Sequence, residues 1–203
     1  MQATTSAVES GLIADKPTVA VDATGLESRH TSRYFARRSG AEHTAWTKLT
    51  AAVDTSSHFL AGATVTRGPS NDSPQFRPVL AQASLAINWD RALADTAFDS
   101  EAHHEYVRDE LGIRSSVIPI NPRRHDCLPG GKYRSQMTRR FATKPEGSRS
   151  KRVFGQRWQA ESAFSRHKRR LGSALGGKSD KSRERECRLR VLTHNLMLLA
   201  DTA

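Results

Sequence analysis

The amino-acid sequence predicts an α/β domain built on one mixed β-sheet with helices on its faces. Three segments in succession carry the alternating or β-branched pattern of strands, and the second and third are joined by a turn-rich connection. Strand and helix patterns then alternate along the chain, which is typical of parallel strands joined by helical crossovers. A length of 203 residues suits one such domain.

The first predicted strand covers residues 18–22 (TVAVD), a β-branched run that ends in an acid before a turn. The preceding residues, 1–17, are small and polar without periodicity, and we expect them to form a loose N-terminal tail. Residues 27–44 contain four arginines but little apolar pattern, which predicts a loop. The domain proper is therefore expected to cover residues 18–203.

A predicted β-hairpin follows this loop. Residues 46–53 and 59–66 alternate around the turn-rich segment DTSSH, which indicates two antiparallel strands. Four further elements are predicted from helical spacing, capping residues and short apolar runs. They are a helix from residue 73 to about 85–88, a strand at 91–95, a helix at 99–111 and a strand at 115–120.

The last third of the chain is predicted to hold a loop and two helices. Residues 121–149 are rich in Pro, Gly, Lys and Arg, so we expect a basic, partly mobile loop. Residues 151–200 are expected to form the C-terminal helices, 151–171 and 183–200. Four leucines share one face of the last helix and are predicted to form a core stripe: Leu189, Leu192, Leu196 and Leu199. The resulting order, β-β-β-α-β-α-β-α, is that of the ribonuclease H-like fold.

The charge is distributed unevenly along the chain. The net charge is +11, but residues 1–120 hold 11 Lys and Arg against 14 Asp and Glu, whereas residues 121–203 hold 21 against 7. A polyanionic partner is favoured, with a solvated basic helix surface as the alternative. No segment approaches the roughly 18 apolar residues of a membrane span, and two cysteines form no disulfide scaffold. A cytoplasmic protein is therefore expected.

Two predicted strands end in aspartate, at Asp22 and Asp95. If these strands are neighbours, the two carboxylates suit Mg²⁺, which binds carboxylate and phosphate oxygens. Glu161 is the only acid in the predicted helix 151–171, where it is either a third ligand or the partner of Arg157 in an i,i+4 ion pair. Helical spacing places Phe154, Arg157, Glu161 and Lys168 on one face.

Five segments taken together carry a resemblance to a known family. They are VAVDATGL (19–26), WTKLTAAVDTSSHFLAGATVTRG (46–68), NDSPQF (71–76), LADTAFDSE (93–101) and FGQRWQAESAFSRHKRRLG (154–172). In this order and spacing they resemble the catalytic domain of bacterial insertion-sequence DDE transposases, in the group with a Tyr-x2-Arg-x3-Glu-x6-Lys signature. The resemblance spans nearly the whole chain from residue 18 onward.

The resemblance implies an active site and a DNA-binding surface. The family's metal-binding catalytic acids correspond to Asp22, Asp95 and Glu161, which would hold two Mg²⁺ ions, with Mn²⁺ as a possible substitute. Arg157 and Lys168 match the two basic residues of the signature, which grip the DNA end in the family. With their neighbours, the residues implied to contact DNA are Phe154, Arg157, Lys168, Lys151, Arg152 and Arg166.

The implied activity is Mg²⁺-dependent strand cleavage and strand transfer at insertion-sequence ends. The implied partners are double-stranded DNA, as transposon end and as target, and a second copy of the chain in a homodimer on DNA. The expected location is the bacterial cytoplasm, at the nucleoid when the protein is bound to DNA. No membrane partner is expected.

Three departures from the family pattern keep alternatives open. Phe154 replaces the signature Tyr, and Thr96-Ala97-Phe98 replaces the usual Lys-Gly-Tyr. Only about 17 residues precede the first strand, where family members usually carry a DNA-binding region, so a truncated, inactive remnant that only binds DNA is one alternative. A ribonuclease H-like nuclease is the other. Trp158 is predicted to be a core residue, with stacking on a DNA base as its alternative role.

Overall fold

A computed structural model describes residues 2–28, 46–121, 130–142 and 149–201 of the chain. The α-helices are α1 Gln2–Glu9, α2 Phe76–Ala86, α3 Glu101–Glu105, α4 Lys132–Ala142, α5 Arg149–Gly155, α6 Trp158–Leu171 and α7 Asp180–Ala200. The strands are β1 Thr18–Ser28, β2 Trp46–Asp54, β3 Leu60–Gly68, β4 Arg91–Ala94, β5 Ser115–Val117 and β6 Ala174–Leu175. Short 3₁₀ turns cover Ser73–Gln75 and Thr96–Phe98, and a π-helical turn, Tyr106–Glu110, extends α3.

The predicted mixed sheet is confirmed, in the spatial order β3-β2-β1-β4-β5. Strands β1, β2 and β3 pair antiparallel, whereas β4 pairs in parallel with β1 and β5 in parallel with β4. The short β6 pairs in parallel with the last residues of β1. This is the α/β arrangement expected of a ribonuclease H-like fold, because consecutive hairpin strands lie on one side and crossover strands on the other.

Apolar residues cover both faces of the sheet. On one face, α2 supplies Phe76, Val79, Leu80 and Ala83, the set that its helical spacing predicts. Gly62 of β3 allows this helix to approach closely, since a Cβ there would lie 2.3 Å from the Val79 carbonyl oxygen. On the other face, helices α4, α6 and α7 cover β1 and β2. The predicted site residues Asp22 and Asp95 lie on this second face, with Ala20 and Leu93.

The N-terminal region differs from its prediction in two ways. Residues 2–9, expected to be a loose tail, form α1, because Ala7 and the following Ile13 are buried in the core. Strand β1 does not end at Asp22 but continues to Ser28, because β2 pairs with it as far as Leu26. Residues 29–44 of the predicted loop lie outside the described residues.

The expected basic loop, 121–149, contains a helix. Residues 132–142 form α4, whose N-terminus is fixed by Glu101: its carboxylate accepts the backbone N–H groups of Tyr133 and Arg134, both at 2.8 Å. The Arg134 guanidinium also donates two hydrogen bonds to Asp99. The prediction of a loop was wrong here because these partners are distant in sequence. Residues 122–129 and 143–148 of the loop are not among the described residues.

The two C-terminal helices also differ in detail. The predicted helix 151–171 is divided into α5 and α6 by a break at Gln156 and Arg157. The predicted leucine core stripe is wrong for three of its four members, because Leu189, Leu192 and Leu196 are 46–63% exposed, whereas Leu199 is half-buried against the core. The buried face of α7 is instead a mixed one, consisting of Cys187, His194, Asn195 and Leu198.

Asn195 shows why the polar face of α7 is the buried one. Its side chain accepts the backbone N–H of Leu60 at 2.9 Å and donates to the Leu60 carbonyl at 3.0 Å. The neighbouring His194 hydrogen-bonds to the carbonyl of His58 at 3.1 Å. Polar side chains thus satisfy backbone groups of β3 and of the turn before it, which apolar side chains cannot do.

Candidate active site

The register between β1 and β4 brings two predicted site residues side by side. Val21 pairs with Ala94 in the last parallel pair of these strands, and Asp22 and Asp95 are the next residue of each chain segment. The two carboxylates therefore project from neighbouring positions of the sheet. The Asp95 carboxylate also accepts the backbone N–H of Ala97 at 2.9 Å, which orients it at the start of a 3₁₀ turn.

Helix α6 carries the third predicted acid over the same face. Side chains alternate along a strand, so Asp22 shares the face of Ala20, which packs in the cluster that contains Ala160 and Phe164 of α6. Glu161 directly follows Ala160 on α6 and lies close enough to Asp22 for its charge to act on that carboxyl. The structure thus brings the three predicted acids to one face of the sheet.

Arg157 links two of these acids directly. Its guanidinium donates to Asp22 Oδ2 at 3.2 Å and to Glu161 Oε1 at 2.8 Å. The i,i+4 ion pair that spacing alone allowed is therefore present, and it extends across to the sheet. The Asp22 and Arg157 side chains are largely shielded from solvent, whereas Glu161 is 59% exposed.

Burial dominates the electrostatics of Asp22. Burial, with smaller contributions from the nearby charges of Asp95 and Glu161, raises the pKa of this carboxyl to about 6. The Ala23 backbone N–H, at 2.8 Å, and the Arg157 guanidinium act in the opposite direction without cancelling the increase. Asp22 is thus an acid whose negative charge is only partly compensated by its protein surroundings, and a strong perturbation of this kind is typical of functional sites.

The three acids provide the oxygen donors that a hard divalent cation prefers. A positively charged group already lies between Asp22 and Glu161, so this position accommodates a cation. Among the described residues, however, no group of three or more His, Cys, Asp or Glu side chains is close enough to form a closed metal cluster. The donor set fits Mg²⁺ or Mn²⁺, while the arrangement requires a local movement before all three acids can act together.

A groove of about 520 Å³ leads away from Asp22 and Glu161. Asp22 and Glu161 stand at its acidic end. Its remaining walls carry three hydroxyl groups and two cations: Thr24, Ser165, Ser173, Lys168 and Arg169. Hydroxyl and cationic side chains in one groove are the usual partners of a phosphodiester backbone.

The cations of this groove have no acidic partner among the described residues. Neither Lys168 nor Arg169 forms a salt bridge there, whereas the next residue, Arg170, pairs with Asp201 at 2.9 Å. Lys168, predicted to bind DNA, therefore lies where a phosphate could reach both it and the acids. Arg170 points away from the groove and provides an internal comparison.

The other residues predicted to contact DNA have more varied surroundings. Lys151 and Arg152 lie exposed on α5. The Phe154 ring is half-buried and packs edge-on against Phe141, with 5.4 Å between ring centroids. Arg166 is near the buried His194, whose pKa its charge helps to lower after the larger effect of burial. Direct DNA contact by these four residues stays a prediction.

Trp158 does not occupy the core position predicted for it. Its side chain is 57% exposed at the start of α6, directly after Arg157. Because it follows the helix break, helical spacing counted from α5 did not apply to it. The alternative role, stacking on a DNA base, is sterically open.

Sequence reasoning missed four groove residues. Thr24 could have been found, because it is two residues after Asp22 and so shares its face of β1. Ser165 and Arg169 could also have been found, since they follow Glu161 at i+4 and i+8 on α6. Ser173 lies beyond the helix end, and no periodic pattern identifies it.

Asp72 directly precedes the 3₁₀ turn Ser73–Gln75, at its N-cap position. Its carboxylate pairs with Lys48, which is 5% exposed, and makes no capping hydrogen bond. Lys48 also donates to the carbonyl of Ser70. This ion pair lies on the face of the sheet opposite to the three acids and links β2 to the segment that follows β3.

Across the described residues, no helix combines the length and apolar character that a membrane crossing requires.

A search of curated proteins found no match to this chain. The family described as "Transposase DDE domain" matches residues 13–196, which is most of the sequence and includes all three acids and the groove. The match agrees with the fold, the adjacent aspartates and the glutamate on α6, and the chain therefore belongs to the transposase DDE domain family.

Proposed function

We propose that this transposase domain cleaves DNA strands at the ends of an insertion sequence and joins them to target DNA, in a reaction that depends on Mg²⁺ or Mn²⁺. The observation that carries the proposal is the convergence of Asp22, Asp95 and Glu161 beside a groove whose cations pair with no acid among the described residues. Membership of the family and the fold support the same assignment.

Asp22, Asp95 and Glu161 are the residues that would hold the cofactor, as two Mg²⁺ ions. Divalent cations bound there would activate an attacking water or DNA 3′-hydroxyl and stabilise the charge on the leaving oxygen. Two features of the chain favour this role. Burial gives Asp22 an incompletely compensated charge, and the Ala97 N–H fixes the orientation of Asp95.

The chain's own contribution to the reaction is to bind and align the DNA strand. Lys168 and Arg169 would contact phosphates on the way to the acids, and the hydroxyls of Ser165 and Ser173 would complete these contacts. Exposed cations on α5, Lys151 and Arg152, would extend the contact beyond the groove. No nucleophilic side chain is required, because water and the DNA hydroxyl supply the attacking oxygen.

The proposal includes a homodimer on DNA. Joining an element to its target requires two DNA ends to be held together, and two copies of the chain would hold one each. The excess of Lys and Arg after residue 120 would provide attraction to both ends. Phosphate contacts of this kind position DNA without selecting its sequence.

The test is cleavage of a labelled duplex that carries the flanking ends of the element, with Mg²⁺ or Mn²⁺ present. Wild-type protein is compared with Glu161→Gln, which removes one charged ligand and keeps the side-chain size. Nicking at the element end by the wild type alone supports the proposal. Salt-sensitive binding without cleavage by the wild type would overturn it and favour a remnant that only binds DNA. Equal cleavage of unrelated structured nucleic acids would favour a general nuclease.

A further inference from the structure

Arg157 occupies the space between two of the proposed metal ligands. One guanidinium nitrogen donates to Asp22 and another to Glu161, at 3.2 and 2.8 Å. The side chain is only 21% exposed. A guanidinium in this position compensates the same negative charge that a divalent cation would compensate.

The backbone at Arg157 is also less constrained than a regular helix. The N–H groups of Gln156, Arg157, Gln159 and Ala160 donate to carbonyls three residues earlier, as in a 3₁₀ turn, instead of four. Gly155 directly precedes this turn and ends α5. A short 3₁₀ interruption within a helical stretch often marks a hinge. Arg157 thus lies at the break between α5 and α6.

The ion pairs and a divalent cation bound between Asp22 and Glu161 would compete. Asp22 Oδ2 and Glu161 Oε1 accept hydrogen bonds from the guanidinium, and two positive groups at one position repel strongly. The acids do not form a closed metal cluster while Arg157 is between them. When the guanidinium is released, its five N–H donors become available for a phosphate, the anion that its planar fork matches well.

We propose that Arg157 is a positioning residue that holds Asp22 and Glu161 together and gives way when a divalent cation binds, after which its guanidinium is free to hold a DNA phosphate. The inference rests on the proposed function, because it assumes that these acids bind a metal ion. It assigns to Arg157 a second role beyond contact with DNA. Arg157 would thus link metal loading to DNA engagement.

The test measures Mn²⁺ binding to the DNA-free protein by electron paramagnetic resonance of the unbound ion. Arg157→Gln removes the competing charge and is expected to bind Mn²⁺ about tenfold more tightly than the wild type. Arg157→Lys keeps the charge but cannot bridge both acids in the same way, so a smaller increase is expected. Arg170→Gln removes the same charge from the far end of α6, away from the acids, and should stay within about twofold of the wild type.

Each alternative result overturns the inference in a recognisable way. Weaker Mn²⁺ binding by Arg157→Gln would mean that the arginine supports the ligand geometry and does not compete with the metal. Equal tightening in Arg170→Gln would mean that the effect comes from net charge alone. Saturable Mn²⁺ binding that persists unchanged in Asp22→Asn would place the metal elsewhere and overturn the proposed function as well. Circular dichroism confirms that each variant is folded.

Discussion

Two aspartates of this domain are each paired with an arginine from later in the chain, and their surroundings shift the carboxyl pKa in opposite directions. Asp99 receives two hydrogen bonds from Arg134, at 2.8 and 2.9 Å, and one from the backbone N–H of Asn121. Asp22 receives one longer bond from Arg157, which it shares with Glu161. Asp99 has a dedicated partner, whereas Asp22 has a partner that is divided between two acids.

The pKa values of the two carboxyls follow this difference. Burial alone would raise the pKa of Asp99, but the Arg134 and Asn121 hydrogen bonds outweigh burial and hold it below the usual value. Burial raises the pKa of Asp22 to about 6, and its partners do not compensate. A fully satisfied buried acid supports the structure, while a partly satisfied one beside further acids is available for a ligand.

The largest effect is expected when Asp95 is neutralised. Asp95→Asn should reduce strand cleavage by at least about 10³-fold, because a proposed metal ligand loses its charge. DNA affinity should change less than about threefold, because the groove cations remain. Single-turnover cleavage and filter binding of the same end duplex measure both quantities. Equal loss of cleavage and binding would contradict a catalytic role.

The other aspartate should respond in the opposite manner. Asp99→Asn leaves the Arg134 guanidinium partly buried without its charged partner, and should lower the free energy of unfolding by about 3 kcal/mol. The anchoring of α4 weakens as a result, while the acids of the site stay in place. Urea unfolding measures the loss. A change below about 1 kcal/mol would show that the Asp99–Arg134 pair does not hold α4.

The stability of the domain should depend on pH through His104, which lies near Asp99. Burial lowers the pKa of His104 to about 4, despite the opposite influence of Glu101 and Asp99. Its unfolded pKa is near 6.5, so the unfolded chain takes up a proton at higher pH than the folded one, and stability falls as pH drops from about 6.5 to 4.

His104→Gln removes this proton uptake. Between pH 7.5 and 5 its free energy of unfolding should fall by about 2 kcal/mol less than that of the wild type. Urea unfolding at the two pH values measures the difference. An equal fall in both proteins would show that His104 is not responsible, although His103, His167 and His194 also have lowered pKa values and contribute to the total.

The smallest effect concerns the groove beside Asp22. Arg169→Gln should reduce the slope of log binding constant against log salt concentration by about one, because one phosphate contact is lost. Arg170→Gln is the matched control, since Arg170 is paired with Asp201 outside the groove. DNA affinity is measured at several salt concentrations for both. Equal reductions in slope would mean that the groove is not the DNA path.

The sequence predicted the part of the site that depends on local pattern. Asp22 and Asp95 stand at the ends of apolar runs, and the alternation of strand and helix indicated a mixed sheet. The sequence therefore allowed the two aspartates to be predicted as neighbours if their strands were adjacent, as they are. The pairing of Arg157 with Glu161 followed from i,i+4 spacing. The contact from Arg157 to Asp22 spans 135 residues, and no local pattern predicts it.

Other features depended on tertiary contacts that sequence patterns do not contain. Helical spacing identified the leucine face of α7 but not which face of the helix would be buried. The polar face is buried because Asn195 of α7 hydrogen-bonds to the backbone of β3. Helix α4 forms where Glu101 caps it, at a distance of more than 30 residues. The break at Arg157 has only Gly155 as a local signal, and this glycine alone did not predict it.

Cleavage of the element-end duplex by Asp22→Asn, beside Asp99→Asn under the same conditions, tests the central claim most directly. Both substitutions remove one buried negative charge from an aspartate–arginine pair. With Mn²⁺ present and both proteins shown to be folded, we predict that Asp22→Asn has no detectable cleavage while Asp99→Asn retains it. Cleavage by Asp22→Asn at the wild-type rate would contradict the assignment of this acid to the active site.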